Sequence, residues 1–329
     1  MGEFRPMDRL MARLIARKLI LMVLILVALN YVAYHYAVRH PGLLFYPFSN
    51  ITDPEAELAG SQYPAYVQAV LRGDLGEVAG TPVTDIIREP IRNSLVLLAV
   101  AMLTTIVVGS ALGFLSISPR TWRLRPWALM LLATGSSMPG FVLGAIILAL
   151  LVYYQLYAGR GTTLLPISGY GIDGHLVLPV IVLSIQPTFH LAKVITGLLE
   201  NELQRDYVQV ANSKGLTWWQ IIRRHALPNI LSPVLITIGE ALRLMVGALV
   251  IVEAIFLWPG IGRIMLYSIG LRLDAGPAGV FFGNPNLIAV LAVIMGSWLL
   301  ISDLIAAVLA YRFDPRLSVA VERREVARS

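Results

Sequence analysis

Six long apolar stretches recur along this 329-residue chain, and each is long enough to cross a membrane as a helix. A membrane-spanning helix needs about 20 mostly apolar residues, and it satisfies its own backbone hydrogen bonds where no water can do so. The apolar share of 57% and the charged share of 14% exclude an ordinary soluble domain. The sequence therefore predicts an all-α polytopic membrane protein with six transmembrane helices in a single domain. The predicted spans cover about 15–38, 93–118, 126–157, 175–199, 230–256 and 285–311, with a long loop at 39–92, a polar loop at 200–229 and a tail at 312–329.

The 26 lysine and arginine residues are shared unequally between the two sides of this predicted bundle. Most of them fall in the amino-terminal segment, the turn at 119–125, the loop at 200–229 and the tail. Short loops on the cytoplasmic side of a membrane carry the excess of basic residues. The pattern predicts that both termini and the 200–229 loop are cytoplasmic and that the 39–92 loop is external. The apolar run at 19–38 is too long for the core of a secretory signal peptide, so we interpret it as a retained span.

The polar segment 204–233 interrupts the apolar pattern with a predicted helix, a glycine corner and a second helix. Helical spacing predicts one apolar stripe along the first helix, formed by Leu203, Tyr207, Val210 and Ala211. Gly215 is placed to end that helix in the left-handed conformation, which glycine adopts at little steric cost. Thr217 begins the second helix, with Gln220 as its capping-box partner. By pattern alone, a hairpin that merely joins two spans fits as well as a functional element does.

The same segment resembles the cytoplasmic loop of permease subunits in binding-protein-dependent ATP-binding-cassette importers. The resemblance rests on the triplet Gln209-Val210-Ala211, on Gly215 after three free positions, and on the ending His225-Ala226-Leu227-Pro228. The triplet keeps only the last alanine of the family pattern. Other stretches are similar to the dipeptide and oligopeptide branch and occur in the same order: Arg72-Gly73-Asp74-Leu75-Gly76, Pro82-Val83-Thr84, Leu165-Pro166, Ser168-Gly169-Tyr170-Gly171, Glu253-Ala254-Ile255-Phe256, Trp258-Pro259-Gly260-Ile261-Gly262 and Asp314-Pro315-Arg316.

This resemblance implies a bundle like that of type I importer permeases and a pore-forming role in peptide import across the cytoplasmic (inner) membrane by alternating access. It implies a heterodimer with a second homologous permease subunit, two ATPase subunits and an extracytoplasmic solute-binding protein. ATP and Mg would be bound by the ATPases, and no cofactor by this chain. The loop would couple to the ATPase through Arg205, Tyr207, Gln209, Val210, Ala211, Lys214, Gly215, Leu216, Arg224, Leu227 and Pro228. The expected docking residues are Tyr207, Val210, Ala211 and Leu216, with polar contacts from Arg205, Lys214 and Arg224.

Charged residues inside the predicted spans are candidates for the translocation path or its gate, because a charge in hydrocarbon must be paired or wetted. Glu240 and Arg243 share one helix face and are expected to pair, either in a cavity that orients a zwitterionic solute or at a subunit interface. Glu253, before Trp258-Pro259-Gly260, is expected either in an external gate or as the cap of a re-entrant helix. Asp303 is expected to be buried in an ion pair or a hydrogen bond, which the pattern favours over a proton relay.

Two small-residue pairs permit close helix approach, Gly109 with Gly113 and Gly140 with Gly144. The sequence contains no Walker-type phosphate loop, no nucleophile elbow and no paired histidines, so the chain is expected to be neither an ATPase nor another enzyme, and to bind no metal. Two alternative functions remain. A permease for nickel or another small solute would share the family pattern, whereas a stand-alone secondary transporter or channel predicts internal inverted repeats, which the sequence does not display.

Overall fold

The structure is a computed structural model that describes residues 6–39, 62–157, 166–269 and 283–313. This part of the chain is almost entirely helical and contains one two-stranded antiparallel hairpin. In chain order the elements are α1 (Pro6–Arg39), α2 (Tyr63–Leu71), β1 (Glu77–Val78), β2 (Thr81–Pro82), α3 (Val83–Leu115), α4 (Pro126–Ser137), α5 (Gly140–Tyr157), α6 (Gly174–Leu203), α7 (Asp206–Ser213), α8 (Trp218–Ile221), a π-helical turn (Ile222–Ala226), α9 (Leu227–Ile255), α10 (Ile261–Ser268) and α11 (Pro285–Phe313). Residues 40–61 of the predicted long loop, Leu165, and the Asp314-Pro315-Arg316 motif with the rest of the tail lie outside the described residues.

Within the described residues, five helices are long and apolar enough to cross a membrane: Val83–Leu115, Gly140–Tyr157, Gly174–Leu203, Trp218–Ile255 and Pro285–Leu309. The fourth of these runs without interruption from α8 through the π-helical turn into α9. The first predicted span lies in α1, a helix of 34 residues that packs along α11 and exposes many apolar side chains. The all-α polytopic membrane class predicted from the sequence is confirmed.

The predicted span 126–157 is divided into two helices, α4 and α5, at residues 138–139. Met138 has an extended backbone, with φ of −89° and ψ of 121°, which is the conformation that a following proline favours. Pro139 also lacks the N–H group that would continue the helix. Because α4 has only 12 residues, it is too short to cross the hydrocarbon core by itself, and α5 is the candidate span of this region.

Helix α6 lies at the centre of the described bundle and packs against α3, α4, α5 and α9. Its side chains Leu183, Leu191 and Leu199 are almost completely buried. The largest apolar cluster joins α6 to α3, to α9 and to Trp258 beyond the end of α9. Helix α9 also packs on α11, and α11 packs on α1, so the bundle extends outward from α6 through α9 and α11 to α1.

Both predicted glycine pairs meet the same helix, α6. Gly113 of α3 lies so close to α6 that a β-carbon added there would stand 2.8 Å from Cβ of Ile195. On α5, a β-carbon added at Gly144 would stand 2.7 Å from Cγ1 of Val182. The four-residue spacing indicates close packing but cannot identify the partner, which the structure places on α6 in both cases.

The close approach of α3 to α6 predicts that Gly113→Ala destabilises the protein by about 1–3 kcal/mol, because the added methyl group must displace a well-packed neighbour. Gly197→Ala is the matched control, since Gly197 lies on α6 and a β-carbon added there would meet no atom within 4 Å. Thermal unfolding of detergent-purified protein, followed by tryptophan fluorescence, measures both variants. An unfolding temperature for Gly113→Ala equal to that of the control would contradict this description of the interface.

Candidate functional site

The segment 204–229, here called the corner segment, connects α6 to α9 at one end of the bundle. Helix α6 ends at Leu203, and Arg205 has an extended backbone that redirects the chain into α7. After α7, Gly215 has a φ of +79°, and its N–H donates to the carbonyl of Asn212 at 2.9 Å. Thr217 and Gln220 form a reciprocal capping box at the start of α8. The predicted glycine corner and the predicted capping box are both confirmed.

The predicted apolar stripe along α7 is wrong at one position. Val208 and Ala211 are the buried side chains of this helix, whereas Val210 is 54% exposed. The prediction assumed one continuous helical register from Leu203, but the extended residue Arg205 breaks that register before α7 begins. Ala211 is therefore covered by the chain's own packing and is not on the surface available to a partner.

A second apolar cluster holds the corner segment against the bundle. Val208 and Ala211 of α7 pack with Ile221 and Ile222 and with the ends of α6 and α9. The 116–125 turn joins the same cluster through Ile117, and the rings of Trp122 and Trp218 meet edge to face with centroids 5.9 Å apart. Leu216 and Leu227 pack partly against it. The segment is therefore a packed element of the bundle and not a free connection.

Glu202, at the end of α6, fixes the corner segment by polar contacts. Its carboxylate accepts hydrogen bonds from the hydroxyl of Tyr207 and from Nδ2 of Asn229, both at 2.7 Å, and pairs with Nε of Arg205 at 3.0 Å. Burial, and then the Glu202 carboxylate, raise the pKa of Tyr207 to about 12, so the phenol stays protonated and remains a donor at physiological pH. Arg205 and Tyr207, which the sequence predicted as contacts to the ATPase, thus both contact Glu202 of their own chain.

Sequence reasoning missed Glu202 and Asn229. Asn229 is 27 positions from Glu202, and that spacing matches no helical or strand period. The one available signal is that Glu202, like Glu200, ends a long apolar run, where an acidic side chain needs a partner.

The outward surface of the corner segment carries two large apolar side chains in a polar setting. Val210 is flanked by the exposed residues Gln209 and Lys214, and Trp219 is 61% exposed. Arg224 and Pro228 are exposed as well, with Pro228 in the first turn of α9. Exposed apolar side chains rimmed by polar residues are typical of a surface that another protein covers.

At the opposite end of the bundle, Glu253 ties together α3, α9 and α10. This fully buried carboxylate accepts hydrogen bonds from the hydroxyl of Ser94, from N–H of Gly262 at 2.7 Å and from N–H of Arg263 at 3.2 Å. It therefore caps the amino terminus of α10, as one of the two predicted roles requires, whereas its part in an external gate stays a prediction.

The Trp258-Pro259-Gly260 turn is held by α3. Nε1 of the buried Trp258 donates to the carbonyl of Asn93 at 3.2 Å, and Nδ2 of Asn93 donates to the carbonyl of Pro259 at 3.0 Å. Gly260 packs directly against the Glu253 carboxylate, so a side chain at this position would collide with it. These contacts make the turn a fixed structural junction in the conformation described.

Glu240 and Arg243 do not pair with each other, and that prediction is wrong. Glu240 faces Nε2 of His190 on α6 at 3.5 Å, and Arg243 donates to Asp303 on α11 at 3.1 Å. Asp303 also lies 3.7 Å from Nζ of Lys18 on α1. Spacing along α9 places both charges on one face, but the neighbouring helices offer partners in better geometry. Asp303 is paired as expected, yet its side chain is 49% exposed and not buried.

These charges line a cleft of about 200 Å³ between α1, α9 and α11. The side chains of Lys18, Glu240, Arg243 and Asp303 remain 42–52% exposed within the isolated chain. A half-exposed charge at membrane depth is stable only beside water or beside another protein surface. We call this set of residues the charged cleft.

Long apolar helices around α6, with a packed polar corner at one end, are the features of a multi-pass membrane protein. The family model described as binding-protein-dependent transport system inner membrane component matches residues 105–319, and the chain belongs to this family. That match covers the corner segment and Glu253, but it begins after Asn93 and Ser94 of the junction.

Among curated proteins, the chain is 31% identical to the probable peptide ABC transporter permease protein y4tP of Sinorhizobium fredii, over 78% of this chain and 79% of that protein. It is 30% identical to the dipeptide transport system permease protein DppB of Lactococcus lactis subsp. cremoris, over 78% and 80% respectively. It is also 29% identical to the glutathione transport system permease protein GsiC of Salmonella paratyphi A, over 64% and 67%. The chain is therefore related to transport permeases over most of its length.

The contacts of Glu202 predict that Glu202→Ala loosens α7 without unfolding the bundle. The change removes two hydrogen bonds to a carboxylate and one ion pair, each hydrogen bond of this kind contributing about 1.5–3 kcal/mol. Amide hydrogen exchange across 206–213, measured by mass spectrometry, is expected to rise by at least about tenfold. Asn201→Ala, at an exposed position on the same helix, is the control and should leave the exchange unchanged. Equal protection in both variants would show that apolar packing alone holds the corner.

Proposed function

We propose that the chain is the pore-forming permease subunit of an ATP-driven importer that moves di- or oligopeptides across the cytoplasmic membrane. The proposal is supported by the family to which the chain belongs and by relatives that are named as peptide, dipeptide and glutathione permeases. The observation that carries it is the corner segment, which is anchored by burial and by Glu202 while exposing Val210 and Trp219. Because the corner segment is packed against the bundle, it can transmit a movement of an ATPase that binds its exposed apolar surface.

The working importer has five components in this proposal. A second homologous permease subunit completes the pore, two ATPases bind at the corner segments with ATP and Mg, and an extracytoplasmic solute-binding protein delivers the solute. In this proposal both termini and the corner segment face the cytoplasm, and the excess of basic residues in these segments supports that orientation. This chain performs no hydrolysis and binds no cofactor of its own.

The continuity of one helix supports a mechanism of alternating access. Because α8, the π-helical turn and α9 form one continuous helix over Trp218–Ile255, a displacement of the corner segment would be transmitted into a membrane span. Glu240 and Arg243 of this helix contact α6 and α11, so a movement of the helix would change the charged cleft. Closure of the ATPases would thereby shift the spans between inward-open and outward-open arrangements.

Two alternatives are less well supported. A nickel or other small-solute permease would have the same fold, but the relatives named above are named for peptides and glutathione. A stand-alone secondary transporter or channel would not need an exposed, anchored corner of this kind.

The exposed apolar residue of α7 gives a direct test of the ATPase contact. In the Val210→Glu variant, a carboxylate would have to be buried at the interface, at a cost of several kcal/mol, so co-purification of the ATPase should fall by more than about tenfold. Leu71→Glu is the matched control, because Leu71 is 81% exposed but lies outside the corner segment. Full recovery of the ATPase with Val210→Glu would place the contact elsewhere.

The backbone of Gly215 gives a separate test of coupling. A β-carbon here meets no atom within 4 Å, so the effect of a substitution comes from the φ of +79° alone. Gly215→Val should lower peptide uptake per ATP hydrolysed by roughly tenfold, whereas Gly215→Asn should retain most of it because asparagine tolerates this conformation. Uptake of labelled di- and oligopeptides into proteoliposomes of the whole importer measures the ratio. Undiminished uptake with Gly215→Val would contradict the coupling role, and uptake of Ni²⁺ without peptide uptake would favour the alternative solute.

A further inference from the structure

A continuous apolar groove runs between α1 and α11. It consists of two adjoining clefts of about 300 and 160 Å³, which share Lys18, Leu21 and Leu304 as lining residues. On α1 the lining extends from Leu14 to Ile25; the charged residues in the lining are Arg17, Lys18 and Asp303, and the other lining residues are apolar. The groove belongs to neither the corner segment nor the junction at Glu253.

The part of the groove beyond Arg17 is comparable in length to one leaflet of a membrane. Eight residue steps along α1, from Arg17 to Ile25, cover about 12 Å at a rise of about 1.5 Å per residue. The hydrocarbon core of a bilayer is about 30 Å thick, so each leaflet contributes about half of that. An extended acyl chain lying parallel to the helices would therefore fill this part of the groove.

Basic side chains lie toward one end of the groove, one helical turn inside Leu14. Arg17 and Lys18 line it, Arg13 lies one helical turn before Arg17, and Arg312 lies one turn beyond Val308 on α11. The one acidic side chain lining the adjoining cleft, Asp303, is engaged by Lys18 and by Arg243. Among the residues that the structure describes, Arg13 and Arg17 have no ion-pair partner, and both are exposed.

An apolar groove with unneutralised cations at its Arg17 level has the shape and charge of a phospholipid site. We propose that the α1–α11 groove binds one anionic phospholipid, with an acyl chain along Leu21, Ile25 and Leu304 and the phosphate group at Arg17 and Arg13. Basic pockets between membrane helices bind anionic head groups, and each Lys or Arg near an anionic membrane surface strengthens the attraction by about fivefold. The inference requires that the chain spans the membrane but does not depend on which solute it transports.

The absence of cysteine from the chain allows a site-specific test. Ile305→Cys places a fluorescent label beside Leu304 at an exposed position that does not line the groove. The assembled importer carrying this label is reconstituted in phosphatidylcholine bilayers that contain increasing fractions of brominated phosphatidylglycerol. Brominated phosphatidylcholine is titrated in parallel, and the two quenching curves give the relative occupancy of the groove.

The anionic lipid is expected to quench the label at a several-fold lower mole fraction than phosphatidylcholine. Arg17→Gln should reduce this preference by about fivefold, and Arg17→Lys should preserve most of it. Arg120→Gln is the control of equal charge change, because Arg120 is exposed on the turn before α4 and outside the groove. Equal quenching by the two lipids would overturn the proposal. Protection of the label from both lipids would also overturn it, since a protein partner would then occupy the groove.

Discussion

Close packing against α6 is the constraint on which the rest of the structure depends. In a bilayer, lipid tails are as apolar as leucine, so burial of apolar surface does not by itself drive helices together. What favours association is short-range contact, and this requires small residues where backbones meet. Gly113 of α3 and Gly144 of α5 supply those contacts on one helix, α6. The position of α6 therefore determines where the segments at its two ends, the corner segment and the loop before Gly174, can be placed.

The corner segment is held in place by contacts with the end of this central helix. Leu199 and Leu203 of α6 reach into the apolar cluster that covers Val208 and Ala211, and Glu202 adds bonds to α7 and α9 from the same helix end. Because α9 is continuous with α8, the corner is joined to a second membrane helix without an intervening flexible loop. A force applied at the corner thus acts on α6 and α9 together, at the interface that contains His190 and Glu240.

Features that depend on a few neighbouring residues could be predicted from the sequence. The positive φ of Gly215 and the capping box at Thr217 follow from the local requirements of a helix end and a helix start. The break at Pro139 follows in the same way from the missing N–H group. The buried face of α7 could not be predicted, because a single extended residue, Arg205, shifts the helical register and exposes Val210 in place of Val208.

Contacts between helices could not be predicted by spacing either. Glu240 and Arg243 satisfy the three-residue rule for a pair, but the rule compares them only with each other. In the folded bundle each has a partner on another helix, and choosing between these partners requires the tertiary arrangement. Family resemblance predicts the arrangement of the helices as a whole. It does not predict side-chain partners at positions such as Glu240 and Arg243, where this sequence departs from the family pattern.

The buried carboxylate at Glu253 and the half-exposed charges of the charged cleft differ in how easily they can change partners. Glu253 is fully buried, and its acceptors are satisfied mainly by backbone N–H groups of α10, which cannot be exchanged without unwinding that helix. The charged cleft is instead built from long side chains that are about half exposed, and Asp303 already has two cations within reach. Exchange between such partners costs little, because each charge keeps a partner or meets water throughout. The junction at Glu253 is therefore suited to remain fixed, and the cleft between α1, α9 and α11 is where the bundle can rearrange at low cost.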